Sequence, residues 1–330
     1  MQLSEAFIKE FMAVFQAPGF VKPHLHHFVT EQEMKLAIGL KDQSLTGLEI
    51  AALLQEPLEN VNVWLEQSYQ RHVINKTVEH GTTLYTSGEF YRRLDNFCLF
   101  GNYHVLPKEV RRRLDQWCYE EYMQRHNYFK QVLDTEPDYD NCHNDWVLLL
   151  PEVEEMIDAA GQIRVLPCNC KIMADNCGHS REICIFFEQT ITDRTGGREL
   201  SRAEAKALVR RLDKEGLMHT GGPYDWREKG PAVVCNCCTC CCYPFRAAQQ
   251  LSTKGKWPRS RYVAGYDRDK CRMCGLCAKR CPFGAFKLSP TEVEKEGKKV
   301  WDVVFDSALC WGCGLCANTC PTEAITMRSI

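Results

Sequence analysis

The sequence predicts an α+β protein of several domains: a mainly helical N-terminal half, a cysteine-rich middle and a small α+β domain at the C-terminus. Three observations lead there. At 330 residues the chain is longer than one small module needs. Its 21 cysteines are unevenly spread: residues 1–167 contain only Cys98, Cys118 and Cys142, and the other eighteen begin at Cys168. Apolar residues recur with helical spacing through the first part of the chain, whereas short β-type runs appear near the end. The expected domains are 1–145, 146–252 and 253–330.

Composition narrows the chemistry. With 45% apolar and 25% charged residues, an ordinary interior forms without covalent staples. A disulfide framework belongs to short secreted chains, and the start, Met1 to Glu10, lacks the basic and apolar regions of a signal peptide. No apolar run approaches the roughly 20 residues that span a bilayer. A cytoplasmic protein whose thiols are metal ligands is the expectation. The net charge of −2 hides an asymmetry. Residues 1–150 carry 14 Lys/Arg against 21 Asp/Glu, and residues 151–330 carry 27 against 22. A net-positive, thiolate-rich half suits anionic clusters.

In the N-terminal half, Leu3, Phe7, Phe11, Val14 and Phe15 form one helical stripe, and residues 32–40 a second helix. Thr46 with Glu49 has capping-box spacing for a helix over Gly47–Leu54. Pro57 opens another to about Arg71. Val73-Ile74 and Thr83–Tyr85 flank a turn at Glu79-His80-Gly81, a small hairpin, and a helix follows over Gly88–Phe97. Helix, helix, hairpin, helix resembles a winged-helix domain. Pro107 starts a long amphipathic helix to about Val132, with Val110, Leu114, Trp117, Cys118 and Met123 inward. Asp134–Asp145 reads as an acidic connector, and Glu152–Ala160 as a helix stopped by Gly161. Cys98, Cys118 and Cys142 read as ordinary thiols.

At the C-terminus the frame C-x₂-C-x₂-C-x₃-C-P occurs twice, at Cys271, Cys274, Cys277, Cys281, Pro282 and at Cys310, Cys313, Cys316, Cys320, Pro321. Two intervening residues let a loop wrap a cubane, and Gly275 and Gly314 allow positive φ and close approach of the backbone to sulfur. Ala285–Leu288 and Val300–Phe305 pair as strands around Glu296-Gly297-Lys298. This segment resembles the two-cluster bacterial ferredoxin. That resemblance implies two [4Fe–4S] clusters with exchanged fourth ligands: one on Cys271, Cys274, Cys277 and Cys320, the other on Cys310, Cys313, Cys316 and Cys281. Trp311, beside Cys310, either shields a cluster from water or simply packs.

Ten further cysteines are candidate metal ligands: Cys168, Cys170, Cys177 and Cys184, then Cys235, Cys237, Cys238, Cys240, Cys241 and Cys242. A helix capped by Ser201 and Glu204 and stopped by Gly216 separates the clumps, with flexible Gly196-Gly197 and Gly221-Gly222-Pro223 beside it, so the chain can bring them together. An extended Cys235–Cys242 would turn Cys235, Cys237 and Cys241 to one face and Cys238, Cys240 and Cys242 to the other. Ten thiols exceed the eight that two more [4Fe–4S] clusters need, so one or two further clusters are expected, with zinc as the alternative. Cys168-Asn169-Cys170, Cys177, Cys184, Gly216–His219 and Cys235–Cys242 together resemble a segment of ferredoxin-type oxidoreductases of anaerobes, a resemblance that imports no activity. His179 and His219 lie near the clumps and read as ordinary histidines rather than ligands or proton carriers.

Three functions compete. An electron-relay subunit or partner of an anaerobic oxidoreductase needs only the clusters and a redox protein to dock with. A stand-alone iron–sulfur reductase would need an active cluster in the central region, and no catalytic residue is identified for it. A redox-sensing regulator would use the winged helix on DNA, but Pro57–Arg71 carries Glu59 and Glu66 against Arg71 alone, a poor match to phosphates. Arg111-Arg112-Arg113 is flanked by Glu109 and Asp115. Nucleic acid is therefore disfavoured, and the N-terminal half reads as a docking or homodimer-forming module. No G-x-G-x-x-G follows a strand, so electrons are expected from a protein, not a dinucleotide.

Overall fold

A computed structural model of the chain describes residues 3–132, 146–255, 258–295 and 297–330. The expected acidic connector and Cys142 lie outside the described residues. The chain divides into two compact units, Met1–Cys118 and Tyr119–Ile330.

In the first unit, α1 (Glu5–Val14) is capped by Ser4, whose Oγ accepts from the Phe7 N–H at 3.2 Å. A 3₁₀ turn over Gly19–His24 leads into α2 (Leu25–Phe28) and α3 (Glu31–Gly39). The capping box of α4 (Gly47–Leu54) forms as its sequence requires: the Glu49 N–H donates to Thr46 Oγ1, and Glu49 accepts from the Thr46 N–H at 2.8 Å. Pro57 occupies the cap position of α5 (Leu58–Gln70). Strands β1 (Ile74–Glu79) and β2 (Thr82–Ser87) pair antiparallel about His80 and Gly81, both at positive φ, as a tight two-residue turn demands. Leu45, just before α4, bridges Tyr85 on the edge of β2 away from β1, adding a one-residue third strand to the hairpin.

Helices α6 (Phe90–Phe100) and α7 (Lys108–Val132) follow, the unit boundary falling within α7. Leu114 and Cys118 are the buried positions of its expected inner side in this unit. The core is aromatic, with Phe28 edge-on to Phe90 and Phe97 at 5.0 and 4.9 Å between centroids. Cys98 is buried in this unit as well.

In the second unit, strands β3 (Trp146–Leu148), β4 (Ile163–Pro167), β5 (Glu182–Phe187), β6 (Arg198–Glu199), β7 (Met218–Gly222) and β8 (Val233–Cys237) form one antiparallel sheet in the order β3-β7-β8-β5-β4-β6. Helices α8 (Leu150–Ala159) and α10 (Arg202–Glu215) flank the short α9 (Asn169–Ala174) in sequence. Val153, Met156 and Ile157 of α8 and Val209 of α10 pack with Val165, Ile185, Phe187 and Val234 of the sheet. After α11 (Trp226–Lys229) and β8 comes α12 (Tyr243–Leu251).

Two expectations fail here. Gly161 does not stop α8 in the left-handed region; the helix ends with Ala160 extended, and the Gly161 N–H donates to Glu188 Oε1 at 3.1 Å. Gly221-Gly222 is no flexible hinge but buried strand, because a Cβ on Gly221 would stand 2.4 Å from the Val233 carbonyl oxygen. By contrast Gly216 stops α10 at φ 90°, as read from the sequence.

At the C-terminal end β9 (Tyr262–Tyr266) pairs with the last strand, β12 (Ile325–Ser329). Between them lie α13 (Leu276–Arg280) and the hairpin of β10 (Phe286–Lys295) and β11 (Lys298–Phe305). That hairpin is longer than the expected Ala285–Leu288 pairing. Mixed helix and strand throughout make the fold α+β.

Candidate metal centres

The two ferredoxin-like motifs are carried on loops braced by β9–β12 and the β10–β11 hairpin. A cavity in the first loop is bordered by Cys271, Cys274, Cys277 and Cys320, three thiols of one motif and the last of the other. Gly275 and Gly314 take φ 71° and 79°, where a side chain would be strained; a Cβ on Gly314 would also stand 2.9 Å from Leu149. Backbone amides aim at sulfur: the Met273 N–H meets Cys271 Sγ at 3.3 Å and the Ala264 N–H meets Cys310 Sγ at 3.5 Å. Burial pushes the Cys277 thiol up to about 11 and the Cys313 thiol up to about 12. Ionising them therefore needs cationic compensation on the spot. Among the described residues, no three of these eight sulfurs fall within 4.8 Å of one another. Glycine-lined loops, amide donors and thiols around a void fit a cluster with a body of its own.

The ten central thiols separate into two sets. Six are strung along one path. Cys184 on β5 and Cys235 on β8 are directly opposite in the sheet, with sulfurs 3.9 Å apart, and Cys237 meets Cys242 at 3.3 Å. Cys168 interacts with both Cys170 and Cys184, and Cys235 with Cys237, joining all six. Two helix starts serve this ribbon. Cys168 occupies the N-cap position of α9 and Cys242 that of α12. Thiolates at helix N-termini gain from the free amides there. Hydrogen bonds from Cys235 and Cys242 pull the Cys237 thiol down to about 5.

The other set, Cys177, Cys238, Cys240 and Cys241, converges on a point, all four sulfurs lying within 4.8 Å of one another. The alternating-face expectation is corrected here. Cys235 and Cys237 do share a face, but β8 ends at Cys237 and a turn follows. That turn sends Cys241 to join Cys238 and Cys240, and returns Cys242 to Cys237. Lys171, buried in α9, places Nζ 3.7 Å from Cys238 and 4.0 Å from Cys177. Hydrogen bonding from Cys241, helped by Lys171, draws the Cys238 thiol down to about 4.

Two connections between the central region and the ferredoxin-like loops were not anticipated. The first is polar. His219 on β7 is buried, with Nδ1 2.7 Å from Asn236 Oδ1, and Nε2 lies 3.9 Å from Asp213 Oδ1. Burial holds its imidazole below the ordinary value, so it is neutral. Asp213 at the end of α10 accepts from Asn318 Nδ2 at 2.8 Å and pairs with Arg280 at 3.4 Å. Arg280 precedes Cys281 and Asn318 sits between Cys316 and Cys320, a proximity to ligands that was their only signal in the sequence. The second connection is aromatic. Phe245, three residues after Cys242, lies 5.9 Å from Phe283 and 5.5 Å from Trp311, and those two rings stack at 4.5 Å. Phe283 follows Cys281-Pro282 and Trp311 follows Cys310. Trp311 is thus buried against both. His179 is half-buried near Glu215 and joins neither thiol set.

Paired four-cysteine loops braced by short strands define a ferredoxin-type iron–sulfur domain. Residues 270–324 match the 4Fe-4S dicluster domain family. No curated protein matches the chain. Many cysteines and a 4Fe-4S domain support an iron–sulfur electron-transfer role. Among the described residues, no helix is long and apolar enough to cross a membrane.

Proposed function

We propose that the protein is an electron relay, passing single electrons between a redox protein and an anaerobic oxidoreductase of which it is a subunit or partner. When bound, [4Fe–4S] clusters in the C-terminal loops supply one-electron carriers. Cys271, Cys274, Cys277 and Cys320 hold one, and Cys310, Cys313, Cys316 and Cys281 the other. The six-thiol ribbon holds a further iron–sulfur cluster. The observation that carries this reading is the Phe245–Phe283–Trp311 stack, which fills the gap between the ribbon's Cys242 and the loop residues beside Cys281 and Cys310 with close-packed rings. Those rings shield the side of the second ferredoxin-type site next to Cys281 and Cys310. At the first site Cys274 is exposed, so a partner protein has access there.

The N-terminal unit serves docking in this scheme. Its order of α3, the Leu45 bridge, α4, α5 and the β1–β2 hairpin supports a winged-helix arrangement. Yet the exposed positions of α5 include Glu59, Val63 and Glu66 and no basic residue, while Leu48 and Leu53 are exposed on α4. That surface suits a protein, a second copy included, better than phosphates.

The test is to reduce the anaerobically purified chain and follow its EPR signals. A relay keeps its electrons until a one-electron acceptor, such as an oxidised ferredoxin or a viologen, is added. Oxidation by a small organic substrate with the chain alone would replace the relay by a reductase. Salt-sensitive binding to a defined DNA sequence would instead revive a regulator.

A further inference from the structure

The four converging thiols differ in kind from the other fourteen of the cysteine-rich part, and the difference is geometric. A zinc ion bound to four thiolates at about 2.3 Å sets its sulfurs at the corners of a tetrahedron with edges near 3.8 Å. The recorded separations are 3.9 Å for Cys177–Cys238, 3.6 Å for Cys177–Cys241 and 3.8 Å for Cys240–Cys241. A cubane binds each thiolate at a different iron, so its sulfurs stand apart by the width of the cluster. Cys240 and Cys241 are adjacent in sequence and converge, the reverse of what four separate corners require.

We propose that Cys177, Cys238, Cys240 and Cys241 hold one zinc ion as a tetrathiolate, distinct from every iron–sulfur cluster of the chain. Four thiolates on a divalent ion leave a charge of −2, and the buried Lys171 ammonium against Cys177 and Cys238 offsets half of it. All four positions are filled by protein, the closed arrangement of a structural rather than a catalytic site. Its role follows from what it ties together. Cys177 lies in the loop after α9, which Cys168 opens, and the other three lie in the turn after β8, which ends in Cys237. The zinc therefore fastens together the two segments that supply the six-thiol ribbon. Asn176 Nδ2, donating to the Cys240 carbonyl at 3.4 Å, reinforces the same junction.

The test uses the full chain purified anaerobically, with zinc, iron and acid-labile sulfide measured per chain and a zinc-edge X-ray absorption spectrum recorded. The expected result is about one zinc per chain, surrounded by four sulfurs at about 2.3 Å. The double variant Cys240→Ser, Cys241→Ser should lose that zinc while keeping the EPR signals of the reduced C-terminal clusters. Absence of zinc from the wild-type chain, or zinc with nitrogen or oxygen neighbours, overturns the proposal. So does loss of iron and sulfide from the variant with zinc retained, and so does a single sulfur-ligated iron in zinc's place. Should the variant fail to fold, the wild-type spectrum decides alone.

Discussion

The C-terminal loops and the Cys177 quartet each offer sets of four thiols, but they arrange them oppositely. Around the first loop, Cys271, Cys274, Cys277 and Cys320 border a cavity, and glycine and amide groups face inward with them. In the quartet the sulfurs close on one another and a buried lysine stands beside them. Four cysteines are thus not one kind of site. The separation of the sulfurs tells whether the protein wraps a body or grips a point, and the neighbouring donors tell how its charge is met.

The largest effect is expected from removing single ferredoxin-type thiols. Cys271→Ala and Cys313→Ala should each cost one cluster, about four irons, and leave the other cluster and the quartet's zinc in place. Iron, sulfide and zinc analysis with EPR of the reduced chain checks this. If neither substitution lowers the iron content, the ligand sets are wrong. If either releases the zinc, the two kinds of site are not independent.

Next in size is the polar seam through which the two regions meet. Asp213 is 5% exposed and holds Arg280 and Asn318, so Asp213→Ala leaves a largely buried guanidinium without its carboxylate, with only the backbone carbonyls of Asp213 and Lys214 as acceptors. A loss of about 3 kcal/mol is expected, read from urea denaturation of the metal-loaded chain. Asp213→Asn keeps an acceptor for Asn318 and should lose less. Equal losses would mean that the charge on Asp213 carries the effect and that the acceptor kept by asparagine contributes nothing.

Lys171→Met separates the sites more gently. Removing the ammonium while keeping the length of the side chain should weaken zinc retention by about 10–100-fold, measured by competition with a chromophoric chelator. Iron content should not change. A variant that loses iron and retains zinc would move Lys171 from the quartet to the ribbon.

Much of this was legible in the sequence, for identifiable reasons. Capping boxes at Thr46 and Ser201 and the glycine at 216 act through neighbours three or four residues away, so local spacing specifies them. The doubled cysteine frame is equally local. The separation of the ten central thiols was not legible, because it depends on where β8 ends. Alternation holds to Cys237, and nothing in a run of cysteines announces the turn that follows. Asp213, Arg280 and Asn318 were hidden for another reason: their meeting is tertiary, 67 residues separating Arg280 from Asp213. Gly161 and Gly221 show the converse error. Each looked like punctuation, yet one is fixed by Glu188 and the other by the close approach of Val233.

The smallest effect should come from the aromatic stack, and it tests whether the two regions are coupled electrically as well as mechanically. Trp311 is 6% exposed and stacks on Phe283 beside the site of Cys281, Cys310, Cys313 and Cys316. Trp311→Leu keeps an apolar side chain but opens a void through which water approaches that site. Hydration favours the more highly charged reduced cluster, so its potential should rise, by on the order of tens of millivolts. The cluster held by Cys271, Cys274, Cys277 and Cys320 should not move. An EPR-monitored redox titration resolves the two, and equal shifts in both would mean the substitution loosens the whole domain. A slower transfer of electrons from the ribbon in the same variant, with the ribbon's own potential unchanged, would place the stack on the path itself.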